Sequence, residues 1–242
     1  MRNVRAICFV LFAALTPFAR GDFSAQLTEA SRPLSEGVPE VAVVRLQTLL
    51  KQNLSESEWR AAAERLLEAM AAANQTADAF NLLNDPRLGQ SASAKFWRAQ
   101  LLAGARREAE ALPLYREVAA DKNTSFRTEA LFGAAEMLRA LGRTNEALQA
   151  FSDLSREPKF AVRAQLRAAE LYLGKSDAPN ARRLLEKVQP STLAEKKERH
   201  FLRGRLEIAL HRPDRAITIF ESVLKDPEGA THETLKIGRA HV

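Results

Sequence analysis

The sequence predicts an all-α protein assembled from helix pairs stacked side by side, and three observations lead there. Gly and Pro are sparse, ten of each in 242 residues, while Ala, Leu, Glu and Arg dominate; that is the residue usage of helices rather than strands. An alanine followed four residues later by a large apolar side chain recurs along the chain at a near-constant interval. Ser55 with Glu58, and Thr192 with Glu195, have the spacing of capping boxes and mark helix starts.

Residues 1–21 stand apart from the rest. Arg2 and Arg5 lead into the apolar run from Ala6 to Leu15, and Ala19-Arg20-Gly21 places small residues just before Asp22. A charged start, a short apolar stretch and a small-residue site form the pattern of a cleaved export signal, with Asp22 as the mature start. A retained membrane-spanning helix would need roughly 20 apolar residues, and this run ends at Pro17. Cys8 is the single cysteine and sits too early in that run for a lipoprotein cysteine. The mature chain then has no thiol, which excludes disulfides, thiolate metal sites and a cysteine nucleophile. Losing Arg2, Arg5 and Arg20 with the signal lowers the net charge from +6 to +3. Acids and bases alternate afterwards as on solvated helix faces, so neither nucleic acid nor a stable membrane anchor is expected.

The repeat orders everything else. Ala147 is followed by Phe151, Ala216 by Phe220, Ala111 by Tyr115 and Ala181 by Leu185, with weaker copies at Ala42 and Ala79. Successive anchor alanines are 37, 32, 36, 34 and 35 residues apart. Twelve residues before four of them lies another small residue, Ala99, Ala135, Ala169 or Gly204. A small side chain lets two helices approach, and the large residue one turn on fills the groove beside it. Each pair leaves an apolar face that only a neighbouring pair can cover. Gly142, Gly174 and Arg212-Pro213-Asp214 mark breaks between the helices of a pair. Pro113, two residues after its anchor, requires the second helix to start late or kink.

These residues resemble the tetratricopeptide repeat, whose period is roughly 34 residues. The likeness is carried by Ala147, Phe151 and Pro158 and by Ala216, Phe220 and Pro227, and covers about residues 38–228. It implies a right-handed α-α superhelix of antiparallel helix pairs, and the signal at residues 1–21 makes this an exported protein of bacterial type. Residues 22–37 match no copy and are assigned as an N-terminal capping segment, 38–92 as degenerate helical repeats, and 93–228 as clear repeats. Residues 229–236 open a further repeat that is cut short, while 237–242 look like a translated sequencing adapter or else a genuine polar tail.

Chemistry-bearing motifs fail on inspection. His200, His211, His232 and His241 lack metal-ligand spacing, and Lys236 stands where His232-Glu233 would need its second histidine. Gly174-Lys175-Ser176 imitates the end of a phosphate loop, but Ala169 replaces the first glycine and a helix precedes it. No cofactor, metal or catalytic centre is expected. What remains is binding. In the family the first helix of each pair lines a concave groove, and the residues three before and one after its small residue face a ligand. The resemblance therefore nominates Phe96 and Gln100, Phe132 and Glu136, Leu166 and Glu170, and Phe201 and Arg205. Such a stripe suits an amphipathic helix or extended peptide of another protein, unless its aromatics pack between repeats instead. The expected role is an interaction scaffold of the periplasm or cell envelope. The alternative is the helical superhelix of a cell-wall enzyme, similar to soluble lytic transglycosylases, whose catalytic domain is missing.

Overall fold

The computed structural model describes residues 22–224. Expectations for the export signal, for the truncated repeat at 229–236 and for the tail at 237–242 lie outside the described residues. Among the described residues there are twelve helices and no strand: α1 (Phe23–Ser35), α2 (Pro39–Leu50), α3 (Glu56–Ala72), α4 (Thr76–Leu83), α5 (Ala92–Gly104), α6 (Glu108–Ala120), α7 (Arg127–Ala140), α8 (Thr144–Leu154), α9 (Ala161–Gly174), α10 (Ala178–Lys187), α11 (Leu193–Ala209) and α12 (Pro213–Leu224). They fall into two compact units, Met1–Gln75 and Thr76–Val242. In the first unit α1, α2 and α3 pack on one another; in the second, α5/α6, α7/α8, α9/α10 and α11/α12 form successive pairs, with α4 against α5.

One turn geometry follows every odd-numbered helix. Six turns of three residues each separate an odd-numbered helix from the next even-numbered one. The middle residue is left-handed each time: Gly37, Asn74, Arg106, Gly142, Ser176 or His211, with φ between 57 and 77°. The following amide then reaches back five residues, as in Val38 to Pro33 (3.0 Å), Gln75 to Met70 (2.8 Å), Arg107 to Leu102 (2.9 Å), Arg143 to Leu138 (2.9 Å), Asp177 to Tyr172 (2.8 Å) and Arg212 to Glu207 (2.8 Å). This hydrogen bond satisfies a carbonyl that the helix end leaves open. Gly142 therefore breaks its pair as expected, whereas Gly174 does not. Gly174 is the last residue of α9, and Ser176 takes the left-handed position.

The anchor alanine is the fourth residue of α2, α4, α6, α8, α10 and α12 alike. In the four clear copies its amide closes the first helical turn, Ala111 on Arg107, Ala147 on Arg143, Ala181 on Asp177 and Ala216 on Arg212. Its methyl is buried in all six. Because α6 keeps this register, it does not start late at Pro113. The hydrogen bond Pro113 forfeits would have gone to the carbonyl of Ala109, an exposed residue that water can serve. The segment expected as a cap is α1, which pairs with α2 through the same turn and places the small residue Ala30 twelve before Ala42.

Candidate partner-binding face

In each pair of the second unit the small residue of the first helix is buried, and in α11/α12 it lies directly against the large residue of the second. Ala99, Ala135 and Ala169 are fully buried, and Gly204 leaves no room for a methyl: a Cβ there would lie 2.3 Å from the ring of Phe220. That packing fixes where the nominated residues point. Phe96 meets Tyr115 edge-on at 6.1 Å, Phe132 meets Phe151 at 5.9 Å, and Phe201 meets Phe220 at 5.9 Å. Leu166 packs in one cluster with Leu185. The residue three before the small one thus folds onto the second helix of its own pair.

The apolar half of the nominated stripe is accordingly corrected. Phe96, Phe132 and Leu166 are 4, 7 and 0% exposed and belong to the core, not to an open groove. Two of them also stack on the residue that precedes the next first helix, Phe96 on Phe126 at 4.6 Å and Phe132 on Phe160 at 5.0 Å. Offset ring pairs of this kind favour close packing between repeats. Arg163 closes over Phe132 at 4.4 Å from the ring centre, sealing it from water. Only Phe201 keeps part of its ring accessible.

The polar half reaches the surface. Gln100 is exposed, although its amide oxygen accepts the Tyr115 hydroxyl at 2.6 Å. Burial raises the pKa of that phenol far beyond its ordinary value, so it stays a donor. Glu136, Glu170 and Arg205 are brought together through a residue the sequence reading did not nominate. Arg167 of α9 binds Glu136 of α7 at 3.0 Å, approaches Glu170 one turn along at 3.9 Å, and pairs with Glu198 of α11. Arg139 binds Glu136 at 2.8 Å and Arg205 reaches Glu170 at 3.6 Å. Three guanidinium and three carboxylate groups thus form one network over α7, α9 and α11.

Burial works against both members of the central pair. At Arg167 it opposes the charge, but Glu198, Glu136 and Glu170 outweigh it and hold the guanidinium above its ordinary pKa. At Glu198 burial wins over the pull of Arg167 and the carboxyl is raised, helped by the like charge of Glu170. The signal that could have revealed the network is the spacing of Glu136, Arg167 and Glu198, 31 residues apart each time and alternating in sign. Among the described residues, no group of three His, Cys, Asp or Glu side chains could hold a metal ion, and no helix is long and apolar enough to cross a membrane.

Residues 129–159, which span most of α7, all of α8 and the turn after it, match the family model for a tetratricopeptide repeat. The helices pair as in tetratricopeptide repeat proteins. Pseudomonas aeruginosa PilF superposes with a TM-score of 0.67 over 91% of this chain and 97% of its own, at 16% identity. A tetratricopeptide repeat protein from Parabacteroides merdae gives 0.65 over 91% and 84%, at 18% identity. Likeness at such identity speaks for the fold alone. No curated protein matches the chain. α7 is the first helix of the matched repeat, α9 and α11 open the helix pairs that follow it, and the charged network lies along all three.

Proposed function

We propose that this chain is an exported interaction scaffold that holds a peptide or helix of a partner protein along the first helices of its tetratricopeptide repeats. Tetratricopeptide domains generally bind proteins, and one clear repeat lies at residues 129–159. The observation that carries the reading is the network from Glu136 through Arg167 to Glu198, Glu170 and Arg205. Its side chains are 19 to 37% exposed, within reach of solvent yet held in fixed geometry. The cost of taking half-buried charges out of water offsets most of their attraction, so folding gains little net stability from this alignment. A prearranged row of alternating charge does favour one register of an incoming charged helix over others. Phe201 adds an accessible apolar edge at the same end.

Export rests on residues 1–21, with their basic start and short apolar run. Amino-terminal sequencing of the protein recovered from the cell envelope is expected to begin at Asp22, and a mature chain that retains Met1 would overturn export with cleavage. For the binding face, a photo-crosslinking residue in place of Arg205 is expected to trap a partner that the same residue in place of Gln149, exposed on α8, does not. Replacing Glu136, Glu170 and Arg205 together with Ala should weaken that capture by about tenfold or more while shifting the melting temperature by only a few degrees. Equal trapping from position 149, or undiminished capture by the triple variant, would remove the first-helix face as the site.

A further inference from the structure

The seams between successive repeats use equivalent positions, and the seam between α10 and α11 differs chemically from those at α6/α7 and α8/α9; between α4 and α5 the positions are Phe80, Ala94, Arg98 and Leu102. Where α7 meets α6 the facing residues are Leu112 and Ala130, Ala134 and Leu138, all buried. In the seam between α8 and α9 the same register holds Leu148, Ala164, Ala168 and Tyr172. Between α10 and α11 the four positions are Arg182, Arg199, Arg203 and Glu207. A pocket replaces the closed seam there, with Leu185 and Leu206 beneath and the exposed Glu186 at its edge.

The pairing of charge differs as well. Arg182 and Arg203 form no ion pair with any described residue, unlike the arginines of the first-helix network. Arg199 donates from one Nη to the Val188 carbonyl at 3.3 Å, while its Nε is buried without an acceptor. A buried donor left open marks a place for a missing acceptor; Glu207 Oε2, also buried there without a hydrogen-bond donor, lies 3.7 Å from Arg212 instead. Neighbouring His200 feels the same environment: burial first, then Arg199 and Arg203, hold its pKa below the ordinary value.

We propose that this seam is a second docking surface, which takes a side-chain carboxylate from an acidic segment of a partner protein between Arg182 of α10 and Arg199 and Arg203 of α11. A guanidinium fork matches a carboxylate with two parallel hydrogen bonds, and the leucines beneath lower the local dielectric and strengthen them. Glu186 and Glu207 line the same pocket, so it accepts a single carboxylate on a flexible chain and repels the continuous phosphate line of a nucleic acid. The inference is independent of the first-helix face.

The test is titration of the full chain with a labelled short oligoglutamate peptide at low salt. Arg199→Ala combined with Arg203→Ala restores the alanines of the sister seams, and is expected to keep the helical circular dichroism while weakening binding by about tenfold or more. Arg203→Gln, at an exposed position, covers misfolding of the double variant and is expected to weaken binding in the same direction. Variants of Glu136, Glu170 and Arg205 should bind the peptide as the parent does. Absence of binding to the parent, undiminished binding by both arginine variants, or tighter binding of single-stranded DNA of equal charge would each overturn the proposal.

Discussion

Gly204 and Gly133 occupy positions that a single methyl would spoil. A Cβ on Gly133 would lie 2.6 Å from the ring of Tyr115, and one on Gly204 would lie 2.3 Å from that of Phe220. The Tyr115 ring is buried and has little room to move, whereas the half-buried Phe220 ring must tilt aside or the helices must part. Gly204→Ala is expected to cost about 1–3 kcal/mol in chemical denaturation, with partial recovery when Phe220→Leu is added. The left-handed turn residues carry the opposite lesson. Arg106, Ser176 and His211 take a backbone conformation that suits Gly, at φ of 60, 59 and 58°. Ser176→Gly or His211→Gly should therefore raise stability by up to about 1 kcal/mol, while Gly142→Ala should lower it by a similar amount. A destabilised Ser176→Gly would show that its side chain, not its backbone, matters there. Burial decides the aromatics in the same way. Phe132→Ala, deep in the core, is expected to cost about 3–5 kcal/mol, and Phe201→Ala distinctly less.

At the scale of the element, α11 illustrates how a helix end is set by sequence. Thr192 accepts the Glu195 amide at 3.2 Å, and the Glu195 carboxylate accepts the Thr192 and Ser191 amides at 3.0 and 2.9 Å. The Thr192 amide above all, with Ser191, holds the Glu195 pKa below the usual carboxylate value. A pKa depressed by folding contributes stability that is present above the unfolded value and is lost as pH falls through the folded one. Melting temperature is thus expected to drop on acidification below about pH 4.5, and to drop less steeply in Glu195→Gln; identical profiles would show the box to be energetically idle. The same capping box was readable in the sequence because its spacing is local. Pro113 was not readable, since tolerance at that position depends on whether the carbonyl of Ala109 meets water.

Within the second unit, stability is graded along the array. Among the described residues, one apolar cluster runs continuously from α5 to α9 and a smaller one from α9 to α11, while α12 buries Ala216 and Val223. Repeat arrays open where neighbour contacts are fewest. Amide hydrogen exchange in α12 should therefore run well ahead of α7, and equal protection in both would contradict graded stacking. The sequence by itself determined the paired all-helical plan, the interval of the repeats and the register of every second helix. Those depend on an alanine and a large residue four positions on, a contact made inside one hairpin. Tertiary structure alone decided which side of each first helix turns inward, because that side is set by the ring on the partner helix and by the next repeat. For that reason Phe96, Phe132 and Leu166 became core, Arg167 emerged as the hub joining three repeats, and the arginines between α10 and α11 were left facing one another across a seam that closes on alanine in the two repeats before it.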